Sequence, residues 1–215
     1  MIVATAIFKI FGMKAGTVLI AALAASIIDA LPSVAGTERI TLVPGSKVTQ
    51  PPLGWVEFCA NQPNECAGPT TAPNDVVLSR KAWMDLIRVN KWVNTTIKPL
   101  TDLEHWGVVE RWSYPDDGYG DCEDYALLKR QMLIQSGWPR EALLITVVRD
   151  NKDQGHAVLM VTTEQGDFIL DTQKKNILLW WETGYRFIKR QSRSSQNEWV
   201  SMDSRQPATA TAASR

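Results

Sequence analysis

Apolar positions recur at helical spacing from Asp75 to Pro99. Val76, Trp83, Leu86, Ile87, Val93 and Ile97 fall near one face, and Pro99 ends the run. Asn90 and Asn94 interrupt that stripe one turn apart, which predicts amides that hydrogen-bond loop backbone across the packing face. A second helix is expected from the stretch "GDCEDYALLKRQMLIQSGWP" (120–139). Asp121 is its N-cap candidate, with Asp124 in the capping-box position, Gly137 the left-handed terminator and Pro139 the stop. Beyond it the period changes. "ALLITVV" (142–148), "HAVLMVTT" (156–163) and "DFILDT" (167–172) read as strands, with "ILLWWE" and "YRFIKRQS" as one or two more. Residues 36–75 are rich in Pro, Gly and Thr and predict irregular structure with one short strand at "GWVEFC". Helices followed by an antiparallel sheet give an α+β domain.

The two ends differ from this pattern. Lys9 and Lys14 precede the apolar run "AGTVLIAALAASIIDA", and Ser33 and Ala35 supply small residues for a signal peptidase. The run is short of the ~20 residues that span a bilayer. Residues 1–35 therefore read as a cleaved signal peptide, 36–203 as the folded domain and 204–215, "SRQPATATAASR", as a disordered tail. Export predicts a periplasmic or secreted protein.

With 45% hydrophobic and 21% charged residues, the chain of 215 has the composition of one globular domain. Its formal net charge is zero and it has no Lys/Arg-rich run, which gives nucleic acid no electrostatic claim on it. The nine tryptophans, without accompanying basic residues, are expected in core and groove rather than as a base-stacking platform.

An oxidising compartment changes how three cysteines are counted. Cys59 and Cys66, in "FCANQPNECAG", suit a local disulfide and leave Cys122 odd, a candidate reactive thiol. Of two histidines, His105 lies beside a loop Trp and His156 opens a strand. If residues 163–166 form the turn, Thr162 faces Asp167, and Asp171 faces Val158. Asp171 then lies diagonal to His156 on the same face, at about 7 to 8 Å. A cysteine at a helix N-terminus, an imidazole and a carboxylate that fixes its tautomer are the parts of a thiol nucleophile site. Trp112 is a candidate for lining the groove or donating to an oxyanion, with packing the alternative.

These segments carry a resemblance. "GDCEDYALLKRQMLIQSGWP", "GHAVLMV" and "FILDT", with "GWVEFCANQPNEC", "VNKWVN" and "PLTDLEHWG" upstream, resemble the bacterial transglutaminase-like cysteine peptidases, whose best described branch is the LapG-type periplasmic proteases. The resemblance implies a papain-like or transglutaminase-like core with Cys122, His156 and Asp171 as catalytic residues. It implies calcium as a cofactor held by Asp121 and Glu123, with loop carbonyls or Asp116 and Asp117 completing the set. The alternative for these acids is a helix cap and a first-turn carboxylate. Thr172 departs from the family pattern, where Asn is common. The function implied is hydrolysis of peptide bonds in periplasmic or surface proteins, for the LapG type surface adhesins under control of an inner-membrane cyclic-di-GMP receptor. Acyl transfer to an amine, as a transglutaminase or amidase, uses the same residues. A non-catalytic calcium-dependent binding module is the reading outside enzymes.

Overall fold

The structure, a computed structural model, describes residues 47–66, 72–73 and 75–202. The signal-peptide and tail expectations lie outside them. Among the described residues no helix is long and apolar enough to cross a membrane.

In chain order the elements are β1 (Val48–Thr49), α1 (Leu53–Asn61), α2 (Pro63–Cys66), α3 (Arg80–Thr96), β2 (Lys98–Pro99), α4 (Asp102–Trp106), β3 (Tyr119–Gly120), α5 (Cys122–Gln135), β4 (Leu143–Arg149), β5 (Gly155–Thr163), β6 (Gly166–Leu170), β7 (Leu178–Leu179), β8 (Arg186–Gln191) and β9 (Trp199–Ser201). Seven strands form one sheet in the order β1-β9-β8-β4-β5-β6-β7, each neighbouring pair antiparallel. The short β2 and β3 pair in parallel by themselves. The architecture is the expected α+β one, helices first and sheet after.

Strand alternation divides the core into two layers. Ile145, Leu159, Val161 and Leu170 pack with Leu86, Val89 and Val93 of α3, Leu127 and Leu133 of α5, and Trp55 and Phe58 of α1. Their neighbours Leu144, Val148, Val158, Met160 and Ile169 form the opposite layer, with Trp180, Tyr185 and Phe187. α5 lies between α3 and the sheet, so its side chains are buried for most of its length.

The β5–β6 hairpin has the expected register, with Thr162 opposite Asp167 and the ladder running to Leu159 opposite Leu170. Asp171 is the next residue. α5 ends as anticipated, with Ser136 as C-cap and Gly137 at φ 89.

Three expectations fail locally. "GWVEFC" is the helix α1 rather than a strand, because Trp55 and Phe58, three residues apart, both enter the core. The third helix begins at Arg80, not near Asp75. The Ser79 side chain caps it by accepting from Ala82 N–H, while Val76 forms a parallel bridge with Thr163. At α5, Asp121 occupies the N-cap position without a side-chain cap bond. Asp124 Oδ1 instead accepts Ser113 N–H at 2.8 Å, binding the preceding loop to the helix start. Gly120 is what admits this arrangement, since a Cβ there would lie 2.7 Å from Asp124 Oδ2.

Candidate active site

Cys122 opens α5, so its backbone N–H is among those with no partner inside the helix, and its sulfur lies at the positive end of the helix dipole. The thiol donates to Glu123 Oε2 at 3.1 Å, and Sγ accepts Ala157 N–H at 3.3 Å. That second bond brings the sulfur against β5 at the residue adjoining His156. By surface Cys122 is only half-buried, yet its surroundings are dense. Burial first, and then the Glu123 charge, push the thiol well above its usual range, against the pull of the Ala157 N–H.

His156 and Asp171 are both buried, and His156 Nε2 lies 2.7 Å from Asp171 Oδ1. Three further groups hold Asp171: the Tyr185 hydroxyl donates to Oδ2 at 2.5 Å, Gln173 N–H donates to Oδ1 at 3.0 Å, and Asn94 Nδ2 donates to the backbone carbonyl at 2.7 Å. Burial alone would raise the Asp171 pKa. The bonds from His156 and Tyr185, the His156 charge and the Gln173 amide outweigh it and hold the carboxyl below its ordinary value. Asn94 thus makes the loop-backbone bond expected of it, whereas Asn90 Oδ1 is buried without a partner. Lys129, fully buried on α5, is pushed down to about 7 by burial, against the pull of the Asp171 charge.

The acids around the sulfur separate by environment. Asp102, Asp121 and Glu123 present carboxylate oxygens all within 4.8 Å of one another. Asp102 and Glu123 are buried. Burial, reinforced by the charge of Asp121, pushes Glu123 up to about 9, and burial raises Asp102 as well. Asp121 Oδ1 is buried with no hydrogen-bond partner. Three crowded hard oxygen donors, one of them orphaned, fit a divalent cation such as calcium, which prefers carboxylate oxygens. Asp102 had no place in the sequence-derived set. Asp116 and Asp117 are not in this cluster, and Asp117 instead pairs with His105 Nε2 at 2.7 Å. The signal for Asp102 was "TDLE" (101–104), a capping box in which Thr101 and Glu104 bond reciprocally and fix Asp102 at the start of α4.

Two other candidates have different roles. The Trp112 ring packs edge-on against Trp55 and Trp199, and its Nε1 donates to Glu110, which makes it a core residue. The His105 ring stacks on Trp106 at 3.9 Å. Cys59 and Cys66 form a disulfide, and Cys122 is the free cysteine.

Comparison with known proteins gives three results. Curated proteins returned no match. Solved structures of Legionella pneumophila LapG are similar at 26% identity and a TM-score of 0.47, over 55% of this chain and 68% of that one. The EGTA-treated form gives 27% and 0.47 over 55% and 66%, and the calcium-bound form 24% and 0.48 over 71% and 91%. The family model of the bacterial transglutaminase-like cysteine proteinases, BTLCP, matches residues 45–207, well over half of the chain. The chain belongs to the bacterial transglutaminase-like cysteine proteinases.

Proposed function

We propose that the protein is an exported peptidase that hydrolyses peptide bonds through Cys122, with His156 as its acid and base and Asp171 as the group that orients His156. The observation that carries this reading is the buried His156–Asp171 pair at 2.7 Å beside a cysteine whose sulfur bonds to the residue next to His156. With Nε2 committed to Asp171, Nδ1 is the ring nitrogen left to exchange a proton with the thiol.

The Cys122 thiolate attacks the scissile carbonyl carbon, and the Cys122 backbone N–H donates to the developing oxyanion. The His156 imidazolium protonates the departing amine, leaving an acyl-thioenzyme. His156 then takes a proton from water, which attacks the thioester carbon; the new acid departs and the thiol is regenerated. Asp171 holds the His156 ring in one orientation throughout, because its two oxygens and its carbonyl are held from separate elements.

Asp102, Asp121 and Glu123 would hold calcium in this reading. Bound there, it supplies positive charge that offsets the carboxylates opposing the Cys122 thiolate. Segment 1–35 directs export, and the substrates are periplasmic or surface proteins. A surface adhesin as the substrate and an inner-membrane cyclic-di-GMP receptor as the regulator follow from the resemblance alone.

The test measures the rate of Cys122 alkylation by iodoacetamide at neutral pH, in calcium and in chelator, for wild type and His156→Ala. The expected result is fast alkylation only in calcium-loaded wild type, with loss on His156→Ala. Equal rates in wild type and His156→Ala would sink the assignment of His156. Equal rates in calcium and chelator would remove the calcium part alone. Mass spectrometry of wild type mixed with a periplasmic extract should reveal an acyl adduct on Cys122. Amine incorporation without net hydrolysis would mark an acyltransferase instead.

A further inference from the structure

The cavity beside the sulfur, of about 350 Å³, is walled by Asn94, Pro99, Gly120, Asp121, Tyr125 and Thr172 together with Cys122. Asn94 and Thr172 are also walls of a larger cleft, of about 850 Å³, between α3 and segment 172–178. The two cavities thus adjoin at Asn94 and Thr172, and Cys122 lines only the smaller. The larger cleft alone lies within the ~300–1,000 Å³ of sites that enclose a ligand.

The lining of the larger cleft is chemically divided. Trp83, Ile87, Ile177 and Leu178 make an apolar surface, while Lys91, Lys174 and Lys175 supply positive charge, and among the described residues no carboxylate lines it. Lys91 and Lys175 are exposed; Lys174 is half-buried with Nζ 5.3 Å from the centre of the Tyr185 ring. The whole chain has zero net charge, so three cations around one cleft are a local concentration.

We propose that this cleft is a substrate subsite, taking one flank of the scissile peptide as an extended chain in which acidic and apolar side chains alternate. The inference rests on the reading of Cys122 as the nucleophile. In an extended chain successive side chains point in opposite directions. A residue seated on Trp83, Ile87 and Ile177 therefore has neighbours directed outward, where the lysines wait. Asn94 and Thr172, at the junction of the two cavities, offer polar groups to the peptide backbone as it approaches Cys122.

The experiment uses the calcium-loaded protein on a proteome-derived peptide library, with cut sites read by mass spectrometry, for wild type and the exposed double reversal Lys91→Glu/Lys175→Glu. Acidic residues alternating with apolar ones should be enriched on one flank of the cut. The reversal should shift that enrichment to Lys and Arg and lower kcat/KM for acidic peptides by about tenfold, since two attractions become repulsions. A cut profile without charge preference, or one that the reversal leaves unchanged, would overturn the subsite. Binding supplies a readout independent of turnover. Fluorescence anisotropy on Cys122→Ala compares a labelled Asp-Leu repeat with a Lys-Leu repeat. Acid-selective, salt-sensitive binding without any cleavage by wild type would leave the cleft an acidic-peptide site but overturn the peptidase reading, and with it the substrate role. Cleavage without selectivity in either assay overturns the subsite alone.

Discussion

The Tyr185 hydroxyl donates to Asp171 Oδ2 at 2.5 Å, on the oxygen that His156 does not use. Each Asp171 oxygen therefore has its own donor side chain, and the carboxylate is stabilised in its charged form. A folded-state pKa below the unfolded value of ~3.9 contributes stability above that pH and loses it as pH falls through the folded value. Tyr185→Phe leaves a buried charged oxygen one donor short, which costs about 1–3 kcal/mol. Urea denaturation should show this deficit at neutral pH, and the gap between the two proteins should narrow below pH ~4. In the proposed mechanism the variant should also lose about tenfold in kcat with KM little changed, because the hydroxyl positions His156 through Asp171 and touches no substrate. A deficit that stays unchanged to the acid limit, once Asp171 is protonated in both proteins, would mean that the hydroxyl acts through packing, not charge.

Asp102, Asp121 and Glu123 crowd within 4.8 Å of one another in a partly buried site, an arrangement that a divalent cation relieves. Ligand binding to the folded state alone stabilises by RT ln(1 + [L]/Kd), about 2.7 kcal/mol at a hundredfold excess over Kd. Calcium should therefore raise the melting temperature of wild type, and Asp102→Asn should remove most of that shift. Thermal scans in calcium and in chelator measure it. A calcium shift that survives Asp102→Asn would take Asp102 out of the ligand set.

How far the sequence foretold this site depends on distance along the chain. The β5–β6 register was legible because a Gly-containing turn joins two β-branched runs, and one register puts Thr162 opposite Asp167. The start and end of α5 were legible from Asp121, Gly137 and Pro139. The capping box "TDLE" marks Asp102 only as the start of α4; its meeting with Asp121 and Glu123 was not legible, because it arises only through the fold, from another helix. The same holds for Tyr185, which reaches Asp171 from 14 residues away, beyond β7 and the turn that follows it. In "GWVEFC" two aromatics at helical spacing were hidden by Pro and Gly around them, and Trp199 to Ser201 was too short a run to stand out from its polar flanks.

Cys59 and Cys66 are joined across a sequence separation of 7, a small loop that links α1 to the end of α2. On chain-entropy grounds such a closure contributes about 2–3 kcal/mol by restricting the unfolded chain. Cys59→Ser/Cys66→Ser should lower denaturant stability by that amount while leaving the rate of Cys122 alkylation unchanged, since Cys122 sits on another helix beside β5. A changed alkylation rate would mean that the disulfide loop supports the site directly.

Gly54 lies where α1 crosses the Trp112 indole. A Cβ at this position would stand 2.2 Å from Trp112 Cδ1 and 2.6 Å from its Nε1, too close for either to remain. The indole has little freedom to retreat, because Trp55 and Trp199 pack edge-on against it at centroid distances of 6.1 and 6.3 Å, and its Nε1 is tied to Glu110 at 2.6 Å. Ala is the better helix former than Gly by about 1 kcal/mol, so propensity alone favours Gly54→Ala. Overpacking a filled core costs about 1–3 kcal/mol and opposes it. With a rigid ring as the obstacle the clash should win. Gly54→Ala should unfold at lower denaturant concentration with an altered tryptophan emission spectrum, and an unchanged midpoint would mean that α1 shifts freely over Trp112.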